Sequence, residues 1–290
     1  SNKFMAGQSV KFCPLSMKKK TTLYIVPTPI GNLEDITFRA IKILEQVDLI
    51  AAEDTRNSKN LLQHYKIKNQ LISYHKFSEN KRTKLLINKL KSEKNVALIS
   101  DAGTPGISDP AAILIKAAIK NKIRVETLPG PTAFIPALIS SGLNAENFFF
   151  GGFLPKKNSE IEKLLEKIKT LSSTLIFYET AHRILNSIAQ INEVLGNRKI
   201  VIARELTKIY ETYYRGKISD FLSKKIKLTL KGEFVLILEG CKQKKITDET
   251  LIQLLKNEIN KGKSKKTAIK NVVAMTNVNK NRIYALALKI

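Results

Sequence analysis

The sequence contains few of the residues that build metal centres, disulfide frameworks and membrane spans. Cys13 and Cys241 are its only cysteines, and they match neither a zinc spacing nor a disulfide pattern. Its three histidines, His64, His75 and His182, are scattered. We therefore expect no metal and a reducing, cytoplasmic environment. No apolar run is long enough to cross a bilayer, so we expect no membrane association through a spanning helix.

Negative charge is also scarce. The 290 residues include 50 Lys and Arg against 25 Asp and Glu, which gives a formal net charge of +25. Such a field attracts polyanions, first nucleic acid and second an acidic membrane surface. The alternative is a generally lysine-rich proteome, because most of the excess is lysine.

Short apolar segments alternate with amphipathic ones, which is typical of an α/β protein with a mostly parallel sheet. In the first half the predicted strands are 22–26, 47–52, 95–100 and 124–130, and the predicted helices are 36–46, 55–65 and 79–92. In the second half we predict helices at 132–141, 158–170 and 181–195 and strands at 148–154, 174–180 and 199–207. Segments 211–218 and 233–240 indicate a more antiparallel second sheet.

Composition and turn signals divide the chain into four segments. Residues 1–20 are an N-terminal extension whose Ser1-Asn2 is typical of a cloning remnant. Residues 21–131 and 132–242 form two α/β domains, separated at the P-G-P-T turn. Residues 243–290 form a basic extension of three short helices. Since 241–290 carry 12 Lys and Arg against 3 Asp and Glu, this extension is either a nucleic-acid-binding, helix-turn-helix-like unit or a capping bundle with a solvated face.

The glycine-rich loop ISDAGTPGISDP, residues 99–110, joins a predicted strand to a predicted helix, where open α/β sheets bind ligands. It lacks the G-K-[ST] of a P-loop and the G-x-G-x-x-G of a dinucleotide site. Asp101 and Asp109 would repel a pyrophosphate, so a ligand with amino, hydroxyl or sulfonium groups fits better. S-adenosylmethionine (SAM) is such a ligand. The alternative is a tight turn that only caps the next helix, with Asp109 as N-cap and Pro110 as the first helical residue.

Three further clusters of acids and arginines follow predicted strands. They are AEDTR (52–56), YETAHR (178–183) and ARELTK (203–208). A single cluster is readily explained as a helix cap with a surface ion pair. Three at corresponding positions indicate polar groups gathered along one edge of the sheets.

Eight motifs in order resemble the tetrapyrrole methylase superfamily, the class III SAM-dependent methyltransferases, and within it the branch that acts on ribosomal RNA. The motifs are LYIVPTPIGNLEDITFRAIKIL (23–44), AAEDTR (51–56), ISDAGTPGISDP (99–110), LPGPTAFIPAL (128–138), FFFGGFLP (148–155), YETAHRI (178–184), ARELTK (203–208) and GEFVLILEG (232–240). The resemblance implies two α/β domains with SAM in the cleft that 132–242 completes, a C-terminal basic helical extension, and a homodimer. It also implies methylation of the 2′-hydroxyl of a cytidine in the decoding region of 16S rRNA, within the small ribosomal subunit.

The resemblance also implies the residues of the SAM site. The cofactor-binding set is Pro29, Ile30, Asp101, Gly103, Thr104, Pro105, Ile107, Thr132, Ala133, Tyr178, Arg204, Glu233 and Phe234. A ribose hydroxyl is a poor nucleophile, so a base or a charge stabiliser is expected beside it. The catalytic candidates are Glu53, Asp54, Arg56, Glu179, Arg183 and Glu205. The acids would act as base or orienter. The cationic side chains that would hold a phosphate or stabilise the alkoxide are Arg56, Arg183, Arg204 and Lys208. Each of these residues is alternatively part of a structural ion pair, and His182 is a further candidate base.

Two other functions compete with this interpretation. One is a precorrin- or siroheme-type methylase of the same superfamily, which the motifs at 27–37 and 52–56 and the basic tail disfavour. The other is a non-catalytic RNA- or DNA-binding protein, which the complete set of loops disfavours. In the rRNA interpretation, helix 79–92 and the C-terminal tail contact RNA phosphates.

Overall fold

A computed structural model describes residues 21–75, 79–242, 247–276 and 278–290. The chain separates into two compact units, one ending at Gly240 and one beginning at Cys241. The predicted extension 1–20 lies outside the described residues. Within the described ranges, no helix is both long and apolar enough to cross a membrane.

The first half of the larger unit contains a parallel sheet with the strand order β3-β2-β4-β1-β5. Its strands are β1 (Thr22–Ile25), β2 (Leu49–Ala52), β3 (Leu71–Ser73), β4 (Val96–Ile99) and β5 (Arg124–Thr127). Its helices are α1 (Phe38–Gln46), α2 (Thr55–His64), α3 (Glu79–Lys91) and α4 (Ala112–Lys120). Alternate residues of the central strands enter two separate apolar cores, one shared with α3 and α4 and the other with α1 and α2. The sheet is therefore covered on both faces, which is why its strands are continuous apolar runs.

The second half contains a mixed sheet with the strand order β6-β7-β10-β8-β9. Its strands are β6 (Phe148–Phe153), β7 (Thr174–Thr180), β8 (Lys199–Arg204), β9 (Thr212–Lys217) and β10 (Glu233–Leu238). Its helices are α5 (Phe134–Ser141), α6 (Asn158–Ile168), α7 (Ile184–Leu195) and α8 (Ile218–Leu222). Only the β6–β7 pair is parallel among the described pairings, which confirms the prediction of a more antiparallel sheet.

The predicted α/β fold class is confirmed, but one predicted helix start is wrong. Helix α4 begins at Ala112, and its N-cap, Ala111, makes no side-chain capping bond. Asp109 is therefore not the N-cap, and Pro110 is not the first helical residue. The carboxyl group of Asp109 instead interacts with the Ser100 hydroxyl and lies in the cleft described below. Strand β3 and helix α8 were not predicted, because both are short and β3 is only partly buried.

The described part of the C-terminal unit contains the three predicted helices, α9 (Asp248–Asn260), α10 (Lys265–Thr276) and α11 (Lys280–Ala287). Their apolar faces share a small core around Leu251, Leu255, Val272 and Ile283. Thr247 caps α9 by accepting a hydrogen bond from the Thr250 N–H, and Asn279 caps α11 in the same way through the Asn281 N–H.

One buried carboxylate ties the loop between α9 and α10 to this core. Glu258 accepts hydrogen bonds from Lys263 Nζ (2.6 Å), Asn271 Nδ2 (2.6 Å) and Lys261 Nζ (3.1 Å). These bonds, that of Lys263 first, lower the pKa of Glu258 to about 2. Because the folded pKa lies below the unfolded one, the carboxylate stabilises the unit above about pH 4.5, and this contribution is lost as the pH falls towards 2.

We expect Glu258→Gln to loosen the C-terminal unit selectively. Hydrogen exchange followed by mass spectrometry on the full chain should show faster exchange in α9–α11 at neutral pH. Protection factors, corrected for the intrinsic exchange rate, should converge with those of the wild type as the pH falls from 4.5 towards 2. Glu249→Gln, at the exposed start of α9, is the control. Equal loosening in both variants would contradict a special role for Glu258.

Candidate active site

A cleft of about 310 Å³ opens between the two sheets of the larger unit. On one side it is lined by the loops that follow β1, β2 and β4, which end at the same edge of the parallel sheet. On the other side it is lined by the start of α5 and by residues of β7 and β10. A cleft beyond the carboxyl ends of parallel strands is the expected ligand site of an open α/β sheet.

Ten residues of the predicted cofactor set line this cleft: Ile30, Asp101, Gly103, Thr104, Ile107, Thr132, Ala133, Tyr178, Glu233 and Phe234. The other three do not. Pro29 lines a neighbouring hollow, and Pro105 is buried within the loop. Arg204 is buried, and its guanidinium donates to the carbonyl oxygens of Lys231 (2.7 Å) and Tyr210 (3.1 Å). The side chain of Arg204 therefore holds two backbone segments together outside the cleft.

The loops that line the cleft are fixed by backbone hydrogen bonds. Thr28 and Gly103 form an isolated antiparallel bridge with two N–H···O bonds of 2.9 Å. Thr104 Oγ1 donates to the Pro131 carbonyl at 3.0 Å, which joins the glycine loop to the turn before α5. Gly103 has φ +79°, and a Cβ there would lie 3.4 Å from Ile30 Cγ2. That distance is an ordinary van der Waals contact, so it is the left-handed backbone conformation, strained for a residue with a side chain, that favours glycine here.

Carboxylates dominate the charge of the cleft. Its lining contains Glu53, Asp101, Asp109, Glu179 and Glu233, and among the described residues neither lysine nor arginine lines it. Burial, followed by repulsion from Asp109 and Asp101, raises the pKa of Glu53. Burial, followed by repulsion from Asp101, raises the pKa of Asp109 against the lowering effect of Ser100. The cleft is therefore a negative pocket within a strongly basic chain, and it favours a cationic ligand.

The carboxylate of Asp101 is held in place. Its Oδ1 accepts the N–H of Asp54 at 3.0 Å, and its Oδ2 accepts Asn57 Nδ2 at 3.3 Å. Both donors belong to the start of α2, so the glycine loop and α2 are joined across the edge of the sheet. The motif AEDTR thus supports the glycine loop as well as contributing Glu53 to the cleft.

An aromatic wall faces these carboxylates. The ring of Tyr178 contacts Phe150 and Phe153 edge-on, with centroids 5.0 and 5.5 Å apart. Burial raises the pKa of Tyr178 to about 12, so its phenol stays protonated at neutral pH. Tyr178 can therefore offer an apolar face and a hydroxyl to a ligand, and it is not a base.

Glu179 borders the cleft, but its carboxylate is engaged in the interior. The side chain is fully buried and accepts Ser187 Oγ at 2.9 Å and the Thr180 N–H at 2.9 Å. Arg183 Nε lies 3.5 Å from the same carboxylate. This arrangement suits a structural group that orients β7 against α7, and we do not assign the proton transfer to it.

The other catalytic candidates lie outside the cleft lining. Asp54 caps α2 and pairs with the exposed Arg56; the hydrogen bond from Arg56 lowers the pKa of Asp54 to about 2. Arg183 donates to the carbonyl oxygens of Leu154 (3.1 Å) and Pro155.

Glu205, the remaining catalytic candidate, and Lys208 belong to one ion-pair network that includes Glu233 of the cleft lining. Lys208 Nζ lies 2.9 Å from both Glu205 Oε1 and Glu233 Oε2. Glu205 also accepts the N–H of Glu233 at 2.9 Å. Lys208 thus positions Glu233, a lining residue, and is not free to hold a phosphate. His182 is exposed and does not line the cleft.

Some lining residues were not predicted. They are Ala102, Ser108, Asp109, Phe153, Thr180, Leu206 and Val235. Most flank predicted site residues within the same motifs, so adjacency was the available signal. Asp109 had been assigned to a helix cap, a role that the Asp-Pro pair suits equally well in sequence.

Within the described ranges, no group of three or more His, Cys, Asp or Glu side chains is arranged so that it could hold a metal ion.

Comparison with known proteins places these features in a family context. The sequence model described as Tetrapyrrole (Corrin/Porphyrin) Methylases matches residues 22–222. The chain is 45% identical over 271 residues to "Ribosomal RNA small subunit methyltransferase I" of Halalkalibacterium halodurans, covering 91% of this chain and 94% of the relative. It is 44% identical over 269 residues to the protein of the same name from Bacillus subtilis, covering 90% and 92%. It is 45% identical over 277 residues to that of Buchnera aphidicola, covering 92% and 96%.

Solved structures share the fold at much lower sequence identity. Diphthine synthase matches with a TM-score of 0.61 at 12% identity, covering 76% of this chain and 90% of that chain. The methyltransferase CobJ matches with a TM-score of 0.59 at 16% identity, covering 78% and 97%. These likenesses establish the architecture alone.

Proposed function

The chain belongs to the tetrapyrrole methylases and, within them, to the family of ribosomal RNA small subunit methyltransferase I, and from this premise we propose that it transfers a methyl group from SAM to the 2′-hydroxyl of a cytidine in the decoding region of 16S rRNA. It is a methyltransferase and uses a methyl donor. Our proposal goes beyond this family-level activity in three respects: the identity of the methyl donor, the atom that accepts the methyl group, and the nucleotide that is modified. We also propose that it acts as a homodimer in the cytoplasm on the small ribosomal subunit, as the resemblance implies.

The negative cleft is the observation that supports SAM as the donor. Bound there, SAM would supply an electrophilic methyl on a positively charged sulfur. Asp101 and Asp109 carry charge that favours a sulfonium or an amino group, and the absence of lysine and arginine from the described lining disfavours a phosphate. Tyr178 and Phe153 offer flat apolar surfaces in the same cleft. The residues that line the cleft therefore fit SAM, the ligand predicted from the sequence of the glycine-rich loop.

Glu53 is the best-placed group to act on the acceptor hydroxyl. It is half-buried, lines the cleft, and has a pKa raised first by burial and then by three neighbouring carboxylates, those of Asp109, Asp101 and Asp54. A raised pKa makes a carboxylate a stronger base, and a group that orients and deprotonates the hydroxyl would activate a weak nucleophile. The remaining rate acceleration comes from positioning by the fixed loops, because methyl transfer requires the reacting atoms to be aligned.

The basic surface has a role in this proposal. Helix α3 and the C-terminal unit carry many of the lysines, and we propose that they bind rRNA phosphates. Such contacts position the substrate without reading its sequence. The dependence of RNA affinity on salt concentration, measured for variants of the exposed Lys and Arg residues of the C-terminal unit, would test this role.

Transfer of label from methyl-labelled SAM tests the function directly. The acceptors are small ribosomal subunits that lack ribose methylation, free 16S rRNA and a tetrapyrrole, with the modified nucleoside identified by mass. We expect 2′-O-methylcytidine on one of the RNA acceptors and no product on the tetrapyrrole. A base-methylated nucleoside would overturn the choice of acceptor atom. Methylation of the tetrapyrrole alone would overturn the rRNA function.

A further inference from the structure

A second hollow of about 210 Å³ adjoins the cleft, and Asp101 lines both. Its walls come from the first loop, through Pro29 and Leu33, and from α2, through Asn57, Asn60 and Leu61. The oxygen of the acceptor hydroxyl has to come within about 3–3.5 Å of the methyl carbon that it attacks, while the bond from that carbon to sulfur breaks. The rest of the acceptor nucleotide therefore needs a space next to the donor cleft, and this hollow provides one.

The lining of the hollow suits a small, flat, neutral group. Pro29, Leu33 and Leu61 supply apolar surface, and Asn57 and Asn60 stand three residues apart, on the same side of α2. Neither lysine nor arginine is among the described residues that line it. Its volume exceeds the ~150 Å³ of an engineered cavity that binds benzene, so a single aromatic ring fits the space.

The side-chain amides of the two asparagines differ in how far their orientation is fixed by hydrogen bonds. Asn57 donates its Nδ2 to Asp101, which accepts only, so this bond fixes the amide and leaves the carbonyl oxygen of Asn57 to accept from a ligand. The side-chain amide of Asn60 has no hydrogen-bond partner within the described ranges of the chain, so it can turn to donate or accept. The hollow thus offers one fixed acceptor and one adaptable amide.

We propose that this hollow is the subsite for the base of the target nucleotide, and that the fixed carbonyl of Asn57 selects a base with an exocyclic amino group. The inference rests on the proposed function and deepens it. Cytosine presents an amino donor beside a ring acceptor, which matches the Asn57 carbonyl and an Asn60 amide turned to donate. Uracil presents a carbonyl where cytosine has the amino group, so two acceptors would face each other. Extruded bases are read in this way, by hydrogen bonds to the pairing edge and by apolar contact with the ring.

The test compares small subunits that carry cytidine or uridine at the methylated position. Rates are measured for the wild type, Asn57→Ala and Asn60→Ala, and donor affinity is measured by calorimetry with SAM alone. We expect Asn57→Ala to lower kcat/KM for the cytidine substrate by about tenfold to a hundredfold, and to reduce the preference for cytidine over uridine by a similar factor. Asn60→Ala should lower kcat/KM on both substrates. Gln63→Ala, an exposed amide on α2 that does not line the hollow, is the matched control and should change neither.

The outcomes separate the subsite from the function on which it depends. If the wild type methylates no ribose, the proposed function fails, and this inference fails with it. If the wild type methylates cytidine and both asparagine variants keep its rate and its selectivity, the function stands and the subsite is wrong. Loss of SAM affinity in Asn57→Ala would also overturn the assignment, because the residue would then act through Asp101 on the donor cleft.

Discussion

Glu53→Gln is expected to lower the rate of methyl transfer by about 10²- to 10⁴-fold at saturating SAM and RNA. The change keeps the size of the side chain and its capacity to accept one hydrogen bond, but it removes the carboxylate that would take the proton. Single-turnover rates measure the effect without interference from product release. Glu53 is preferred to Glu179 because Glu179 is fully buried and bonded to Ser187 and Thr180.

The pH dependence of the rate tests the same assignment independently. Burial and the neighbouring Asp109 and Asp101 raise the pKa of Glu53. A base acts when ionised, so the wild-type rate should fall as the pH falls through this raised pKa, which lies above the ordinary value for glutamate. The residual activity of Glu53→Gln should lack that acidic limb. An unchanged acidic limb in the variant would mean that another group titrates.

Stability separates a catalytic carboxylate from a structural one at this position. An acid whose folded pKa is raised makes the folded state less stable as the pH rises from the unfolded pKa through the folded one, and the full cost remains at neutral pH. Glu53→Gln should therefore raise Tm slightly at neutral pH. Asp54→Ala is the control: Asp54 caps α2 and has a lowered pKa, so removing its side chain should lower Tm while the transfer rate stays near that of the wild type. If the Asp54 variant lost the transfer rate and the Glu53 variant kept it, the role of the base would pass to Asp54.

The overall fold could be predicted because its signals are local and repeated. Strands such as β4 and β7 are uninterrupted apolar segments, and the helices between them show one apolar face. The convergence of polar groups at one sheet edge also followed from the sequence, since parallel strands place their carboxyl ends together. This rule accounts for Glu53 and Asp101 in one cleft, whereas Tyr178, on the mixed sheet, was assigned to it through the family resemblance.

The roles of individual charged residues depend on differences of one or two positions that sequence patterns do not contain. Asp109 faces the cleft because α4 begins at Ala112, and a helix beginning two residues earlier would have used the same carboxylate as a cap. Arg204 and Arg183 resemble phosphate ligands in sequence, yet both donate to main-chain carbonyl oxygens. Whether an arginine after a strand meets a ligand or a loop is decided by the path of segments distant in sequence.

Asp109→Asn is expected to weaken SAM binding by about tenfold to a hundredfold and to weaken binding of the demethylated product less. The product keeps the amino group but has a neutral thioether where SAM carries a positive sulfur, so an attraction between Asp109 and the sulfonium is lost by the donor alone. Two unit charges in contact near a protein surface interact with about 4 kcal/mol, and the open cleft screens part of this.

Burial, followed by repulsion from Asp101, raises the pKa of Asp109. Wild-type affinity for SAM should therefore fall as the pH falls through that raised pKa, and the variant should not follow. Calorimetry with SAM and with the product measures both effects, and Glu146→Gln removes one exposed negative charge outside the cleft as the control. Equal losses for donor and product would show that Asp109 acts on a group that both ligands share and not on the sulfonium.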